Sequence, residues 1–147
     1  MPAKEVQIFE TFRSASLFSE LSDEKIGTLA EHAEVRELRL GEVLFEEDSE
    51  ISSFLLVYSG SVRFKKKVSG KVITTSKHKA GSFFGEIAFL RNAKWEHTVA
   101  ASSKSIVLLL DTNDPVIKEI TDEIRNTIAH SEFRKKLRSL LTAKEID

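Results

Sequence analysis

The residues with most capacity for chemistry lie between positions 81 and 101. Gly81-Ser-Phe-Phe-Gly-Glu-Ile-Ala-Phe-Leu90 is followed, after four residues, by Trp95-Glu-His-Thr-Val-Ala-Ala101. Gly85 can adopt a positive φ and lets a ligand come close to the backbone. A single helical turn over Glu86 to Leu90 would leave its first N–H groups unpaired, an arrangement that favours an anion. Glu86 at the same end would accept hydrogen bonds from ligand hydroxyls.

Other chemistry is thinly supplied. His32, His78, His97 and His130 are dispersed and lack the spacing of two histidines at i, i+4 on one helix, and no His-x-His pair occurs, so no metal site is expected. No Gly-x-Ser-x-Gly, no Walker-type loop and no carboxylate pair on a plausible cleft appears. Glu86 is the one acidic side chain placed in a pocket, and a lone carboxylate makes no acid–base pair. The chain therefore reads as non-catalytic and without a cofactor. Zero cysteines exclude disulfides, thiolate catalysis and cysteine-ligated metal, and fit a reducing cytoplasm.

The elements that must position these residues show in the periodicity. Ser22 or Asp23 can cap a helix whose Ile26, Leu29, Ala30 and Ala33 form one apolar stripe, and Ile8, Phe9 and Phe12 have compatible spacing upstream. The helical part is read as residues 4–33. From 35 to 110 short β-branched and aromatic runs alternate with Gly and Ser turns about every ten residues, the pattern of an antiparallel sandwich or barrel. Asp114-Pro115 is an N-cap followed by proline at the first helical position. Ile117, Ile120, Ile124 and Ile128 carry that helix to a hinge near Ser131, and Phe133, Leu137, Leu140 and Leu141 mark a second helix, so 114–142 is two helices. The whole, 1–147, is read as a single domain, mainly β with flanking helices.

The chain has 147 residues, a net charge of −1 and 41% apolar side chains, which excludes a disordered tail or a fibre. Its longest apolar run, Ile106 to Leu110, is far short of the roughly 20 residues that span a bilayer, and no secretory signal opens the chain. Neither a membrane nor a nucleic-acid partner is expected. The charge is divided: residues 1–60 hold 5 basic and 13 acidic groups, residues 61–110 hold 10 and 2. Such a division either makes one face attractive to an anion or reflects ordinary differences in surface composition. Lys65-Lys66-Lys67 alternates on a strand, with Lys66 opposite its neighbours, and reads as edge protection.

Four blocks in order resemble the cyclic-nucleotide-binding domain family. They are Gly41-Glu42-x-Leu44-Phe45 with Asp48, Ser59-Gly60-x-Val62, Gly81-x-x-Phe84-Gly85-Glu86-Ile87-Ala88, and Thr98-Val99-x-Ala101. The resemblance runs from about Phe18 to Leu141. It implies an eight-stranded antiparallel jelly-roll barrel with N-terminal helices and two C-terminal helices. It also implies that Gly85, Glu86, Ile87 and Ala88 open a phosphate-binding cassette, with Glu86 on the ribose 2′-hydroxyl. Trp95, Glu96 and Thr98 would flank the phosphate, and Leu137 and Leu140 would sit on the lid helix. No helix-turn-helix follows that lid within the 147 residues, so direct DNA contact is not expected.

Two residues depart from the family pattern. Trp95 stands where the family has the arginine that pairs with the cyclic phosphate, and Glu96 where it has a small residue. Losing two charge-assisted hydrogen bonds costs roughly 3–6 kcal/mol, about a hundredfold to ten-thousandfold in affinity. Trp95 either packs at the barrel mouth or stacks on a purine. Glu47 replaces the usual glycine before Asp48, which predicts a reshaped turn. Two readings follow: a cytoplasmic regulatory module that senses a small anionic ligand, cyclic AMP or cyclic GMP bound atypically and weakly, or a domain whose pocket has decayed and which binds a protein or dimerises through its terminal helices.

Overall fold

The computed structural model describes residues 3–15, 18–84 and 93–126. Helices α1 (Ala3–Ser14) and α2 (Asp23–His32) precede eight strands: β1 (Glu34–Leu38), β2 (Val43–Phe45), β3 (Ser53–Ser59), β4 (Ser61–Val68), β5 (Lys71–Lys79), β6 (Phe83–Phe84), β7 (Thr98–Ala101) and β8 (Ser105–Asp111). A third helix, α3, covers 115–126. The Ser22 hydroxyl accepts from the Lys25 N–H to start α2, and the Asp114 carboxylate accepts from the Val116 N–H at 2.9 Å to start α3. Both are caps that the residue types require.

Every strand pairing is antiparallel. Sheet A has the order β1-β8-β3-β6 and sheet B the order β2-β7-β4-β5. That interleaving of early and late strands is the double-sheet jelly roll. The sheets face each other as a sandwich and do not close into a barrel, so β1, β6, β2 and β5 are edges. Phe83–Phe84 is a strand that two residues are too few to announce in the sequence.

Strand alternation builds two cores from continuous apolar runs. In Phe54-Leu-Leu-Val57, Phe54 and Leu56 pack outward against Phe12, Phe18, Ile26, Leu29, Ile117, Ile120 and Ile124 of the helical layer. Leu55 and Val57 point inward to Leu38, Val62, Trp95, Val99 and Ala101. Leu108 and Leu110 of β8 likewise go outward, Val107 and Leu109 inward. The two central strands of sheet A, β3 and β8, are thus buried on both faces, which is why they are apolar without interruption. Helix α3 is tied to α2 by the Lys25–Glu123 ion pair and by His32, whose Nδ1 lies 2.8 Å from the Asp114 carboxylate.

Candidate functional site

Sheet A delivers the chain to the site through adjacent phenylalanines that face opposite ways. β6 pairs with β3 so that Phe83 lies beside Leu56 and Phe84 beside Leu55. Phe83 packs on the helical side, edge-on to Phe18 at 5.1 Å between ring centroids. Phe84 turns inward, 4.7 Å from both Phe64 and His78. Gly85, Glu86, Ile87 and Ala88 come next and lie outside the described residues, as do the hinge near Ser131 and the lid residues Leu137 and Leu140.

The opposite bank is the connection between β2 and β3, laced to residues 93–98. The Asp48 N–H donates to the Trp95 carbonyl at 2.8 Å, the Trp95 N–H to the Ser49 carbonyl at 2.9 Å, and the Ile51 N–H to the Ala93 carbonyl at 3.0 Å. Glu50 and Lys94 form a β-bridge, so Lys94 is held there as an exposed residue. The Glu47 N–H donates to the Thr98 hydroxyl at 3.0 Å, and its carboxylate accepts from the Lys67 N–H at 3.1 Å. The turn takes its left-handed residue at Asp48, φ 70°, so Glu47 is accommodated as an ordinary residue with both ends bonded.

Three of the predicted site residues can be placed. Trp95 is only 4% exposed and belongs to the inter-sheet core. Its ring lies on Phe45 with centroids 4.5 Å apart and planes 13° from parallel, and its indole Nε1–H has no hydrogen-bond partner. A guanidinium so placed would be a buried, uncompensated charge; an aromatic ring there is core packing. Glu96 is exposed, and Thr98 is half-buried with its hydroxyl taken by Glu47. The structure therefore joins Trp95 and Thr98 through one turn and leaves Glu96 in solvent.

A second set of polar residues occupies the inward face of sheet B. Val62, Val99 and Ala101 on that face are core. Register then puts Phe64 opposite both Val99 and Ser76, Val62 opposite His78, and Lys66 opposite Ile73. His97 touches Phe64 with ring centroids 5.6 Å apart, and His78 does so at 4.7 Å. The Ser76 hydroxyl and His78 Nε2 are 2.9 Å apart. Burial holds the His78 pKa below the usual imidazole value. The face that begins as valine and alanine ends as Phe64, Ser76, His78, His97 and Lys66. Alternation around Phe64 carries this in the sequence, with Lys66 already set opposite Lys65 and Lys67; the two histidines do not show there because they sit on separate segments, His78 on β5 and His97 ahead of β7.

Among the described residues no group of three or more His, Asp or Glu could hold a metal ion, and no helix is long and apolar enough to cross a membrane.

A double-sheet antiparallel jelly roll under a helical layer is the architecture of domains of the cyclic-nucleotide-binding type. The sequence profile of the cyclic nucleotide-binding domain matches residues 35–115, and the chain belongs to that family. A cAMP-dependent protein kinase regulatory subunit of Mycosarcoma maydis is 30% identical over 96 residues, covering 65% of this chain and 18% of that protein. The regulatory domain of Toxoplasma gondii PKA, solved with cAMP, superposes with a TM-score of 0.72 at 22% identity, over 83% of this chain and 48% of that one. The sensor domain of the transcriptional regulator DNR from Pseudomonas aeruginosa gives 0.75 at 17% identity, over 95% of each chain. This chain thus spans under a fifth of the fungal subunit and about half of the parasite regulatory domain.

Proposed function

We propose that this chain is a cytoplasmic, non-catalytic regulatory domain that binds a small anionic ligand between the sheets and transmits occupancy through the helices after β8. Family membership supports the class. The observation that carries the ligand reading is the inward face of sheet B, where half-buried His97, His78 and Ser76 gather at Phe64 and exposed Lys66 follows on the same face of β4. Polar groups of this kind face inward where they have something to meet. Gly85, Glu86, Ile87 and Ala88 complete this site by resemblance, with Leu137 and Leu140 as its lid. Cyclic AMP or cyclic GMP, lacking the family's arginine at position 95, binds more weakly here than in a pocket that keeps it.

A second reading is favoured by the Phe45–Trp95 stack, which fills the arginine's place with core. In that reading the domain has lost cyclic nucleotide and acts as a protein-interaction or dimerisation module through its terminal helices.

Titration calorimetry with cyclic AMP and cyclic GMP up to millimolar concentration, on the wild type, Lys66→Met and Trp95→Arg, separates the two. Saturable heat in the wild type, weakened about tenfold or more in Lys66→Met, supports the sensor. Silence in the wild type with binding gained in Trp95→Arg supports the decayed pocket.

A further inference from the structure

The outward face of sheet B is the one broad sheet surface that no described helix covers, and it is cationic. Alternation sends Arg63, Lys65 and Lys67 of β4 outward, opposite to inward Val62, Phe64 and Lys66. On β5, Lys79 pairs with Ser61 and Lys77 with Arg63, so both join the same face. Lys67, Lys77 and Lys79 are exposed, and Arg63 and Lys65 are half-buried. Among the described residues none of these five makes an ion pair, and the buried Arg63 Nε has no hydrogen-bond partner. Between positions 63 and 79 there are seven lysines and arginines and no acidic residue.

The same hairpin ends in exposed apolar side chains. Val68, Val72 and Ile73 are 46%, 66% and 46% exposed, around the Ser69-Gly70 turn. Edge protection accounts for lysines on β5, which is an edge strand. It does not account for cations on β4, which lies between β7 and β5, nor for valine and isoleucine left bare on the edge itself. A cationic face some 20 Å long, by about 3.4 Å per residue over 61–67, that terminates in an apolar tip matches a surface with negative charge outside and hydrocarbon just beneath. Nucleic acid offers the charge without a place for the tip.

We infer that sheet B docks on an anionic membrane surface, with Arg63, Lys65, Lys67, Lys77 and Lys79 against lipid phosphates and the hairpin end entering the headgroup region, Val72 from the cationic face and Val68 and Ile73 from its other side. This is surface binding, which the absence of a spanning segment in the sequence leaves open, and it is independent of the ligand reading.

Co-sedimentation of the whole chain with vesicles tests it. Equimolar phosphatidylglycerol and phosphatidylcholine should carry the protein down, phosphatidylcholine alone should not, and raising salt from ~0.1 M to ~0.5 M should release it. Lys65→Glu/Lys67→Glu and, separately, Val72→Ser/Ile73→Ser should each lower the bound-to-free ratio about tenfold or more, with melting curves showing that both variants fold. Should either variant lose its fold, Lys77→Glu/Lys79→Glu at exposed positions takes its place. The inference is overturned by binding that ignores lipid charge, by binding that survives both substitutions, by no binding to vesicles at all, or by capture of a single-stranded oligonucleotide in preference to vesicles.

Discussion

Trp95 lies flat against Phe45, the ring centroids 4.5 Å apart and the planes 13° from parallel, at the point where the two sheets meet. The stack makes position 95 a structural position.

Trp95→Ala should therefore destabilise the fold by about 3–5 kcal/mol, as removal of a buried large aromatic does. Urea unfolding followed by circular dichroism reads this as a lower midpoint with unchanged slope. Trp95 is the only tryptophan, and its ring, buried and with an unbonded Nε1–H, should emit at short wavelength and resist acrylamide quenching until the chain unfolds.

The two faces of β3 should respond to truncation in different places. Phe54→Ala and Leu55→Ala each remove a side chain of 1% exposure or less, and each should cost about 2–5 kcal/mol. Amide hydrogen exchange should rise first in α1 and α2 for Phe54→Ala, which lies under the helical layer. For Leu55→Ala, between the sheets, it should rise first in β4 and β7.

Gly60 and Gly27 should answer alanine with opposite signs. Gly60 has φ +81°, and an added Cβ would meet the Lys104 carbonyl at 2.5 Å and the Ser105 Cα at 2.8 Å. Gly60→Ala should cost about 1–3 kcal/mol or more, because strain and overlap add. Gly27 sits inside α2 with nothing within 4 Å of an added Cβ. Gly27→Ala should stabilise by about 0.5–1 kcal/mol. Melting temperatures rank the pair against the wild type.

The Asp114 carboxyl is held below its ordinary pKa, chiefly by the hydrogen bond from His32, with the Val116 and Ile117 N–H groups adding to it against some desolvation. A lowered acid pKa adds stability that is fully present above the ordinary carboxylate value and is lost as pH falls through the lowered one. Asp114→Asn keeps a good N-cap and removes the charge. The variant should melt below the wild type at about pH 7, and the gap should close towards about pH 3.

The architecture was legible wherever one residue type forces one local outcome. Ser22 and Asp114-Pro115 start helices because their side chains or ring geometry allow little else there. Ile26 and Leu29, and again Ile117, Ile120 and Ile124, turn inward at helical spacing. The runs at 54–57 and 106–110 announced strands without saying that both faces are buried, because an unbroken apolar run fits that and other arrangements equally. The Phe45–Trp95 stack was invisible for a related reason: it joins residues fifty positions apart, and the register shift between Val43 and Phe45 that seats it has no local signature. The inward histidines have no local signature either, because His78 and His97 share a sheet face only once β4 has paired with both β5 and β7.

Strand β8 is the penultimate described element in the chain, yet it lies between β1 and β3 at the centre of sheet A. On a ribosome this order has a cost. Until residue 111 emerges, residues 34–38 and 53–59 have been synthesised without the partner strand they share. The nascent chain must carry Phe54 to Val57 without β8 until that strand is made, and closure comes in one late step that joins distant segments. Premature termination anywhere upstream of β8 should thus yield a sticky fragment for chaperones and proteases, never a smaller folded domain.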